Sequence, residues 1–367
     1  MSDELAGRLA SRTLALVDIA SESGDEESIL AEIRQLVPSD RFAVVDDGEG
    51  VLLFMPAQRR PGAPLLLLAG HVDTVPAAGN LPGRLEGDAV LGRGACDMKG
   101  ALAVLIEVAS WGDVLGASDL DVGLVCFGRE ELPITESVLL PLLARRPELA
   151  EAAFAIVMEP TANALEVGCM GNLNATVRAT GRAAHTARPW LGENAVHTAI
   201  RALAPVVDLP TRDVEVDGLV FREVVSVTRI EGGEARNVIP DRVVAHLNVR
   251  YAPTHTPAEA EARLRELLGA TTLELEIVGN APPGPVAVCN PLLGRLRDAG
   301  DLAVGPKQAW TPVAEFATAG IDAVNFGPGD PKYAHRDDER VEVAALVRTT
   351  EIMRAFLTGS GRTAEDA

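Results

Sequence analysis

The sequence has little of what a disulfide-stabilised or membrane-spanning protein needs. Its 367 residues include only four cysteines, which lie far apart and form no C-x-x-C pair. This spacing argues against a disulfide framework and a zinc ribbon. No run of eighteen apolar residues occurs, so no transmembrane helix is predicted. The N-terminus carries Asp3 and Glu4 and lacks the basic and then apolar order of a signal peptide, which favours a cytoplasmic location.

Positive charge is also scarce. Lys and Arg number 33 against 53 Asp and Glu, which gives a formal net charge of −20. This balance disfavours nucleic acids and anionic membranes as partners. Hydrophobic residues make up 47% of the chain, so we expect globular domains rather than disorder. At this length two domains are more natural than one.

The order of apolar runs predicts an α/β fold. Short runs typical of buried strands alternate with helical patterns in the first part of the chain and again after Pro291. This alternation indicates a catalytic domain with a mostly parallel sheet flanked by helices. Thr135 is expected to cap one of the helices. Strands are predicted at 51–55, 65–69, 122–127, 154–158 and 323–326, and helices at 5–19, 28–36, 100–109, 136–143, 292–299 and 341–357.

The middle of the chain has a different pattern. Strand, helix, strand, strand, helix and strand follow one another, which is the order of the split βαβ, or ferredoxin-like, fold. Gly168 and Gly171 precede this region, and a proline-rich stretch follows it. We therefore predict an inserted domain at 172–281 within a catalytic domain made of residues 1–171 and 282–367.

Residue types that bind divalent cations stand directly after several of the apolar runs. Ligands of open α/β sheets bind at the carboxyl ends of parallel strands, so these side chains are expected to converge. Two imidazoles and several carboxylates from distant segments would form a two-metal hydrolytic centre. The residues that carry this hypothesis are His71, Asp73, Asp97, Glu130, Glu131, Glu159 and His335.

Some of these positions have features of their own. Asp97 lies in a turn with three glycines in nine residues, which suits a carboxylate that bridges two cations. The adjacent carboxylates of Glu130 and Glu131 repel each other unless a cation neutralises one of them. One can then bind metal while the other moves protons. Asp73 can hold the second nitrogen of His71 directly or through a backbone contact.

These motifs, in their order, resemble the M20 family of di-zinc aminoacylases and peptidases. The resemblance extends from about residue 10 to residue 357, and within the family it is greatest to the succinyl-diaminopimelate desuccinylases of actinobacterial type. The matching motifs are AGHVDTVP (69–76), GRGACDMKG (92–100), the Glu pair (130–131), MEPT (158–161), GRAAHTARP (181–189), RNVIPD (236–241) and A-H-x-x-D-E (334–339).

The resemblance implies a metal centre with two Zn²⁺ per subunit, for which Co²⁺ can substitute. In that arrangement His71 and Glu159 hold one ion and Glu131 and His335 hold the other. Asp97 bridges the two.

The same resemblance assigns catalytic and substrate-binding roles. Glu130 would be the general base, Asp73 would support His71, and His185 would donate to the oxyanion of the tetrahedral intermediate. The inserted domain would act as a lid and could form a homodimer interface. The residues expected to contact an N-acyl amino acid substrate are Asn237, Arg250, Arg188, Gly327 and Gly329.

The implied reaction is hydrolysis of N-succinyl-LL-2,6-diaminopimelate to succinate and LL-2,6-diaminopimelate, a step of lysine and diaminopimelate biosynthesis. Some desuccinylases carry an Arg pair where this chain has Cys169 and Met170, and Pro312 and Glu315 also depart from the usual pattern. These departures keep other M20 activities open: an acetylornithine deacetylase, an acyl-amino-acid deacylase or a small-peptide carboxypeptidase.

Two readings of other classes are weaker. A catalytically inactive metal-binding scaffold would require the loss of a ligand or of the base, and all of these positions are present. A nucleotide-binding α/β protein is disfavoured because the glycine spacing matches neither the phosphate-binding loop nor the dinucleotide fingerprint.

Overall fold

The computed structural model describes residues 2–269 and 273–359, and the chain forms two compact units. The first consists of Met1–Gly168, Ala287–Gly305 and Thr311–Ala367, and the second of Cys169–Val286 and Pro306–Trp310. The second unit begins three residues before the predicted inserted domain and takes in a separate segment near residue 308. Among the described residues, no helix has the length and apolar character needed to span a membrane.

The helices are distributed over both units. Those within the described residues are α1 (Ser2–Val17), α2 (Glu27–Leu36), α3 (Gly100–Ala109), α4 (Gly112–Ala117), α5 (Leu139–Arg145), α6 (Ala195–Val207), α7 (Pro257–Leu268), α8 (Pro291–Gly300), α9 (Val313–Thr318) and α10 (Val343–Thr358).

The strands form three sheets. Those within the described residues are β1 (Phe42–Asp46), β2 (Val51–Pro56), β3 (Leu65–His71), β4 (Arg84–Glu86), β5 (Ala89–Leu91), β6 (Asp121–Phe127), β7 (Ala152–Val157), β8 (Leu165–Val167), β9 (Gly171–Thr180), β10 (Arg212–Val216), β11 (Leu219–Gly232), β12 (Arg242–Tyr251), β13 (Glu274–Ala281), β14 (Val304–Pro306), β15 (Ala323–Asn325) and β16 (Arg340–Glu342).

The first unit is built around an eight-stranded sheet with the order β1-β2-β6-β3-β7-β15-β8-β14. The pairs β6–β3, β3–β7 and β7–β15 are parallel, whereas β1–β2, β2–β6 and β8–β15 are antiparallel. All residues of β3 and β6 are buried, because strands in the middle of such a sheet are covered on both faces. The predicted α/β class is confirmed, with the parallel strands at the centre of a mixed sheet.

Helix α3 follows the glycine-rich turn and is buried along its whole length. Its residues are apolar on every face apart from Glu107, as expected for a helix enclosed by protein. The Glu107 carboxylate is paired with Arg8 and Arg12 of α1, at 2.8 and 2.9 Å. These ion pairs fix α1 against the helix that begins just after Asp97.

A three-stranded sheet of order β16-β5-β4 joins two distant parts of the first unit. Strand β16 pairs with β5 in antiparallel register, and the amide of Gly92 donates to the carbonyl of Glu339 at 3.0 Å. This pairing brings the segment that contains His335 to the turn that contains Asp97. The sequence pattern did not predict these short strands.

The second unit contains a five-stranded antiparallel sheet of order β10-β11-β12-β9-β13. Its core places Leu203 and Val206 of α6 and Leu264 of α7 against Leu247 of β12. Apart from β10, the order of strands and helices is that of the split βαβ pattern.

Local turn chemistry accounts for two differences from the sequence-based expectations. Strand β10 is joined to β11 by Asp217 and Gly218, which both have positive φ, a frequent geometry of two-residue hairpins. The helix expected at 136–143 begins at Leu139 instead, and Thr135 does not cap it. Val138 directly precedes the helix, and the hydroxyl of Ser137 accepts the Leu139 amide at 3.1 Å, so the side chain that serves the first turn lies two positions later than predicted.

Candidate metal centre

The parallel strands bring several of the predicted residues to one edge of the central sheet. His71 is the last residue of β3 and lies opposite Phe127, the last residue of β6. Glu130 and Glu131 follow β6, and Glu159 follows β7. Because the carboxyl ends of parallel strands share one edge, these side chains meet there.

Among the residues that the structure describes, the side chains form overlapping groups, two of which share Asp97. Its Oδ1 lies 2.9 Å from Nε2 of His71, and its Oδ2 lies 3.6 Å from Nε2 of His335. His335 Nε2 is also 2.8 Å from Oε1 of Glu131, and His71 Nε2 is 4.0 Å from Oε1 of Glu159. The groups whose ligand atoms all lie within 4.8 Å of one another are His71 with Asp97 and Glu159, His71 with Glu130 and Glu131, and Asp97 with Glu131 and His335.

The His71 ring is held in one orientation. Its Nδ1 lies 3.0 Å from the backbone oxygen of Asp73 and 3.5 Å from the Asp73 Oδ1 atom. A carbonyl oxygen can only accept, so Nδ1 carries a proton and Nε2 faces the carboxylates. The backbone contact is therefore the shorter of the two ways in which Asp73 was expected to support His71.

The Asp73 carboxylate also accepts hydrogen bonds from three other donors. It accepts the Ser23 hydroxyl at 2.7 Å, the Glu130 amide at 3.1 Å and the Glu131 amide at 3.2 Å. Burial raises the pKa of Asp73, but the neighbouring His71 and the hydrogen bonds from Ser23 and the Glu130 amide lower it more, so the net shift is downward. This charged acceptor fixes the main chain of the two glutamates that follow β6.

A second buried carboxylate fixes the turn that carries Asp97. Oε1 of Glu339 accepts the amides of Cys96 and Asp97 at 3.2 and 3.1 Å. Its Oε2 accepts Nη1 of Arg93 at 2.7 Å in an ion pair whose side chains are 1% and 4% exposed. Burial raises the pKa of Glu339, and the bond with Arg93 partly offsets this effect.

The negative charges of the cluster would be stabilised by bound positive charge. Burial raises the pKa of Glu130 well above the usual value for glutamate, and the charges of Glu159, Glu131 and Asp97 add to the effect. Burial lowers the pKa of His71, but hydrogen bonds to Asp73 and Asp97 outweigh it and raise the pKa overall. Carboxylates this close repel one another, and imidazole nitrogen with carboxylate oxygen is a donor set for divalent cations. The cluster therefore fits two dications that share Asp97.

Gly327 and Gly329 allow main-chain segments of the first unit to lie close to each other. A Cβ atom at Gly327 would lie 2.5 Å from the backbone oxygen of Glu159, and one at Gly329 would lie 2.6 Å from that of Cys96. The Gly327 amide donates to Thr161 Oγ1 at 3.1 Å. Their expected contact with substrate stays a prediction. What the structure shows is that both glycines allow ligand-bearing segments to pass close to each other.

His185 belongs to the second unit, where its side chain is exposed. Its Nδ1 accepts the amide of Ala187 at 3.0 Å, so the proton resides on Nε2. An isolated antiparallel β-bridge between His185 and Val238 fixes the main chain of this loop. Nε2 is thereby the ring atom left to donate, and the oxyanion role of His185 stays a prediction.

The other predicted substrate contacts also lie in the second unit. Asn237 and Arg188 are exposed, and Arg250 is partly buried on β12. The Arg250 Nε atom donates to Asn248 Oδ1 at 3.0 Å, and burial lowers the pKa of its guanidinium. A desolvated cation beside a neutral amide is suited to bind an anionic group.

Sequence reasoning missed the residues that hold these segments in place. Ser23, Arg93 and Glu339 bind side chains or main chain of the cluster, yet none was assigned a role. Glu339 stands at the end of a motif that also contains His335, which was the available signal. Nothing in the sequence distinguishes Ser23 from other loop serines.

Comparison with known proteins agrees with this geometry. Residues 67–359 match Peptidase family M20/M25/M40. The chain belongs to this family. As an M20 protein with desuccinylase relatives, it is a metal-dependent amidohydrolase, and the predicted family resemblance is confirmed.

Two relatives of this M20 protein cover almost its whole length. A candidate succinyl-diaminopimelate desuccinylase of Mycobacterium tuberculosis is 37% identical over 97% of this chain and 99% of its own. The succinyl-diaminopimelate desuccinylase of Corynebacterium glutamicum is 35% identical over 94% of this chain and 95% of its own. The crystal structure of the aminopeptidase PepT from Bacillus cereus shares the fold, with a TM-score of 0.75 at 18% identity over 96% of this chain and 98% of that one.

Proposed function

We propose that this M20 protein hydrolyses N-succinyl-LL-2,6-diaminopimelate to succinate and LL-2,6-diaminopimelate in the cytoplasm. The observation that carries a two-metal hydrolase is the position of Asp97, whose two carboxylate oxygens face two different histidines. The names of the two nearly full-length relatives support the choice of substrate.

We further propose that zinc ions occupy the centre. His71 and Glu159 would hold one ion, Glu131 and His335 the other, and Asp97 both, since these nitrogen and oxygen atoms are common zinc ligands. Bound there, the pair of ions would lower the pKa of water and polarise the substrate carbonyl.

In this proposal Glu130 moves the proton. Without bound cations its pKa is raised by burial and by neighbouring carboxylates, and its place in the group with His71 and Glu131 puts a carboxylate within reach of the attacking water. It takes a proton from the attacking water and delivers it to the leaving amine. The Asp73 carboxylate holds the Glu130 amide and so orients the base. The Nε2 proton of His185 is the donor proposed for the oxyanion.

Substrate choice rests on cationic groups in the second unit. N-succinyl-diaminopimelate carries carboxylates at the succinyl end and on the amino acid, and guanidinium groups bind carboxylates well. Arg250 is the leading candidate because its Nε atom donates to the neutral amide of Asn248 and not to a carboxylate. Arg188 and Asn237 are the further candidates, and a homodimer through this unit remains part of the proposal.

A substrate panel tests the proposal. The zinc-loaded protein would be given N-succinyl-LL-2,6-diaminopimelate, N-acetylornithine, N-acetyl-lysine and a dipeptide at equal concentrations, and amine release would be measured. The expected result is a kcat/KM for the succinyl compound at least 100-fold above the others. A higher value for any other member would reassign the substrate within the family. No turnover of any amide by protein that holds two metal ions would overturn the hydrolase proposal.

The Arg250→Lys and Arg250→Ala variants sharpen the test. Lysine keeps the charge but loses the planar fork of the guanidinium, so both changes should raise KM for the succinyl substrate, alanine more than lysine. The matched control is Arg242→Ala at the other end of β12, where the side chain is exposed and KM should not change.

A further inference from the structure

The loop between α1 and α2 lies against the segment that carries the proposed base. Its residues Ser21–Ser23 run beside 72–74: the Thr74 amide donates to the Ser21 carbonyl at 2.9 Å, and the Ser23 amide donates to the Thr74 carbonyl at 3.2 Å. The segment 72–74 is also joined to the end of β6, because the Val72 amide donates to the carbonyl of Phe127 at 2.8 Å. Three separate parts of the first unit are thus aligned just before Glu130.

The two serines of this loop make different contacts. The Ser21 hydroxyl donates to the backbone oxygen of Val72 at 2.8 Å. The Ser23 hydroxyl donates to Asp73 Oδ2 at 2.7 Å, and the same oxygen accepts the Glu131 amide at 3.2 Å. The other oxygen, Oδ1, accepts the Glu130 amide at 3.1 Å. Ser23 is therefore connected to the main-chain amides of Glu130 and Glu131 through the Asp73 carboxylate alone.

The loop between α1 and α2 also contacts the main chain that precedes Glu130, through Glu26. Glu26 is buried, and its Oε1 accepts the Gly24 amide at 2.6 Å. A Cβ atom at Gly128 would lie 2.7 Å from the Cδ atom of Glu26. The chain between β6 and Glu130 therefore passes in direct contact with the loop, and only a residue without a side chain fits there without a shift.

We propose that Ser23 is a positioning residue for Glu130. Its hydroxyl fixes the rotation of the Asp73 carboxylate, and that carboxylate presents one oxygen to each glutamate amide. Without the hydroxyl, the carboxylate turns more freely and the Glu130 side chain loses its alignment, although every proposed metal ligand is still present. The inference rests on the proposed role of Glu130 as base.

The test compares Ser23→Ala with Ser23→Thr and Ser21→Ala. Loss of one hydrogen bond to a charged acceptor is expected to lower kcat of the zinc-loaded protein about 10-fold. KM and zinc content should stay close to the wild-type values, since no ligand or substrate contact is removed. Ser23→Thr keeps the hydroxyl and should restore most of the lost kcat. Ser21→Ala removes a bond in the same loop that does not reach Asp73, so its kcat should be that of the wild type.

Hydrogen–deuterium exchange on metal-free protein gives a readout that does not depend on turnover. The amides of Glu130 and Glu131 should exchange faster in Ser23→Ala and at the wild-type rate in Ser21→Ala. Unchanged exchange and unchanged kcat in Ser23→Ala would overturn the inference, as would equal losses in both alanine variants. If the wild type hydrolyses no amide, the proposed function fails by itself, and the exchange rates still decide whether Ser23 holds these amides.

Discussion

The carboxylates of the candidate metal centre differ in role because they contact different groups. Asp97, Glu131 and Glu159 face imidazole nitrogens, as ligands of a shared cluster would. Asp73 and Glu339 face main-chain amides, so they hold segments rather than ions. Residue type alone does not separate these roles, since all five are acids near strand ends or turns. The partner of each oxygen does.

At this scale the clearest prediction concerns Glu130→Gln. Glutamine keeps the size of the side chain but cannot take a proton, so kcat should fall by about 10²–10⁴-fold, the usual contribution of a general base. Zinc content, measured by atomic emission, should stay at two ions per chain. Glu136→Gln, an exposed position in the same loop, is the control and should keep full activity. Loss of zinc in parallel with activity would make Glu130 a ligand instead.

A second residue-scale prediction concerns Glu315, which is buried on α9 and accepts the Ser137 hydroxyl. Burial raises its pKa from 4.5 to about 7, and the bond with Ser137 partly offsets the rise. Below pH 4.5 the folded and unfolded states are both protonated, so no penalty exists. Between pH 4.5 and 7 the unfolded state loses its proton first, and above pH 7 the folded state must bury a charge. The contribution to stability is therefore lost as pH rises.

The Glu315→Gln variant tests this dependence. The two pKa values correspond to about 3 kcal/mol, so the variant should be more stable than the wild type by about that amount at pH 8 and about equal to it at pH 4.5. Urea unfolding at a series of pH values measures the difference. A constant difference across this range would show that Glu315 is not buried as an acid.

Among the elements, the turn before α3 depends on a partner from the C-terminal part of the chain. Arg93 of this turn pairs with Glu339, and the amides of Cys96 and Asp97 donate to the same carboxylate. Strand β16 fixes the position of Glu339 through its pairing with β5. Asp97, the proposed bridging ligand, is thus held by an interaction between elements rather than by its own loop.

The Arg93→Ala variant should reveal this dependence. Removal of one partner of a buried ion pair leaves an uncompensated charge and costs about 3–5 kcal/mol, which urea unfolding would detect. The control is Arg336→Ala, because the Arg336–Asp338 pair is exposed and its loss should cost at most about 1 kcal/mol. Equal effects of the two substitutions would contradict a special role for the buried pair.

The long apolar runs made most elements of the first unit predictable. Helix α3 lies where the pattern placed it, and β3 extends two residues beyond the predicted end, to His71 itself. Short strands such as β5 were not predictable, because three residues carry no periodicity and their pairing comes from residues far away in the chain. The candidate metal ligands followed from their positions directly after predicted strands. The supporting contacts of Ser23 and Glu339 did not, since they depend on which segments become neighbours.

For the whole molecule, cation binding should increase the stability of the folded state. A ligand that binds only the folded state raises the unfolding temperature by mass action, and an acidic cluster without cations repels itself. Zinc should therefore raise the unfolding temperature of chelator-treated protein in calorimetry, and His335→Ala should reduce the increase. His197→Ala is the matched control, because this exposed histidine lies on α6, in the other unit. An equal increase in wild type and His335→Ala would remove His335 from the set of ligands.

The pairing of β16 with β5 also dictates an order of events during synthesis. Glu131 and His335 are separated by 204 positions in the sequence yet lie 2.8 Å apart. The Asp97 turn also depends on this part of the chain, because the amides of Cys96 and Asp97 donate to Glu339. A nascent chain that ends before residue 335 therefore lacks both His335 and the carboxylate that holds Asp97 in place. We therefore expect the centre to form only after the C-terminal segment has been made, and a chain that ends before this segment should not hold the pair of ions.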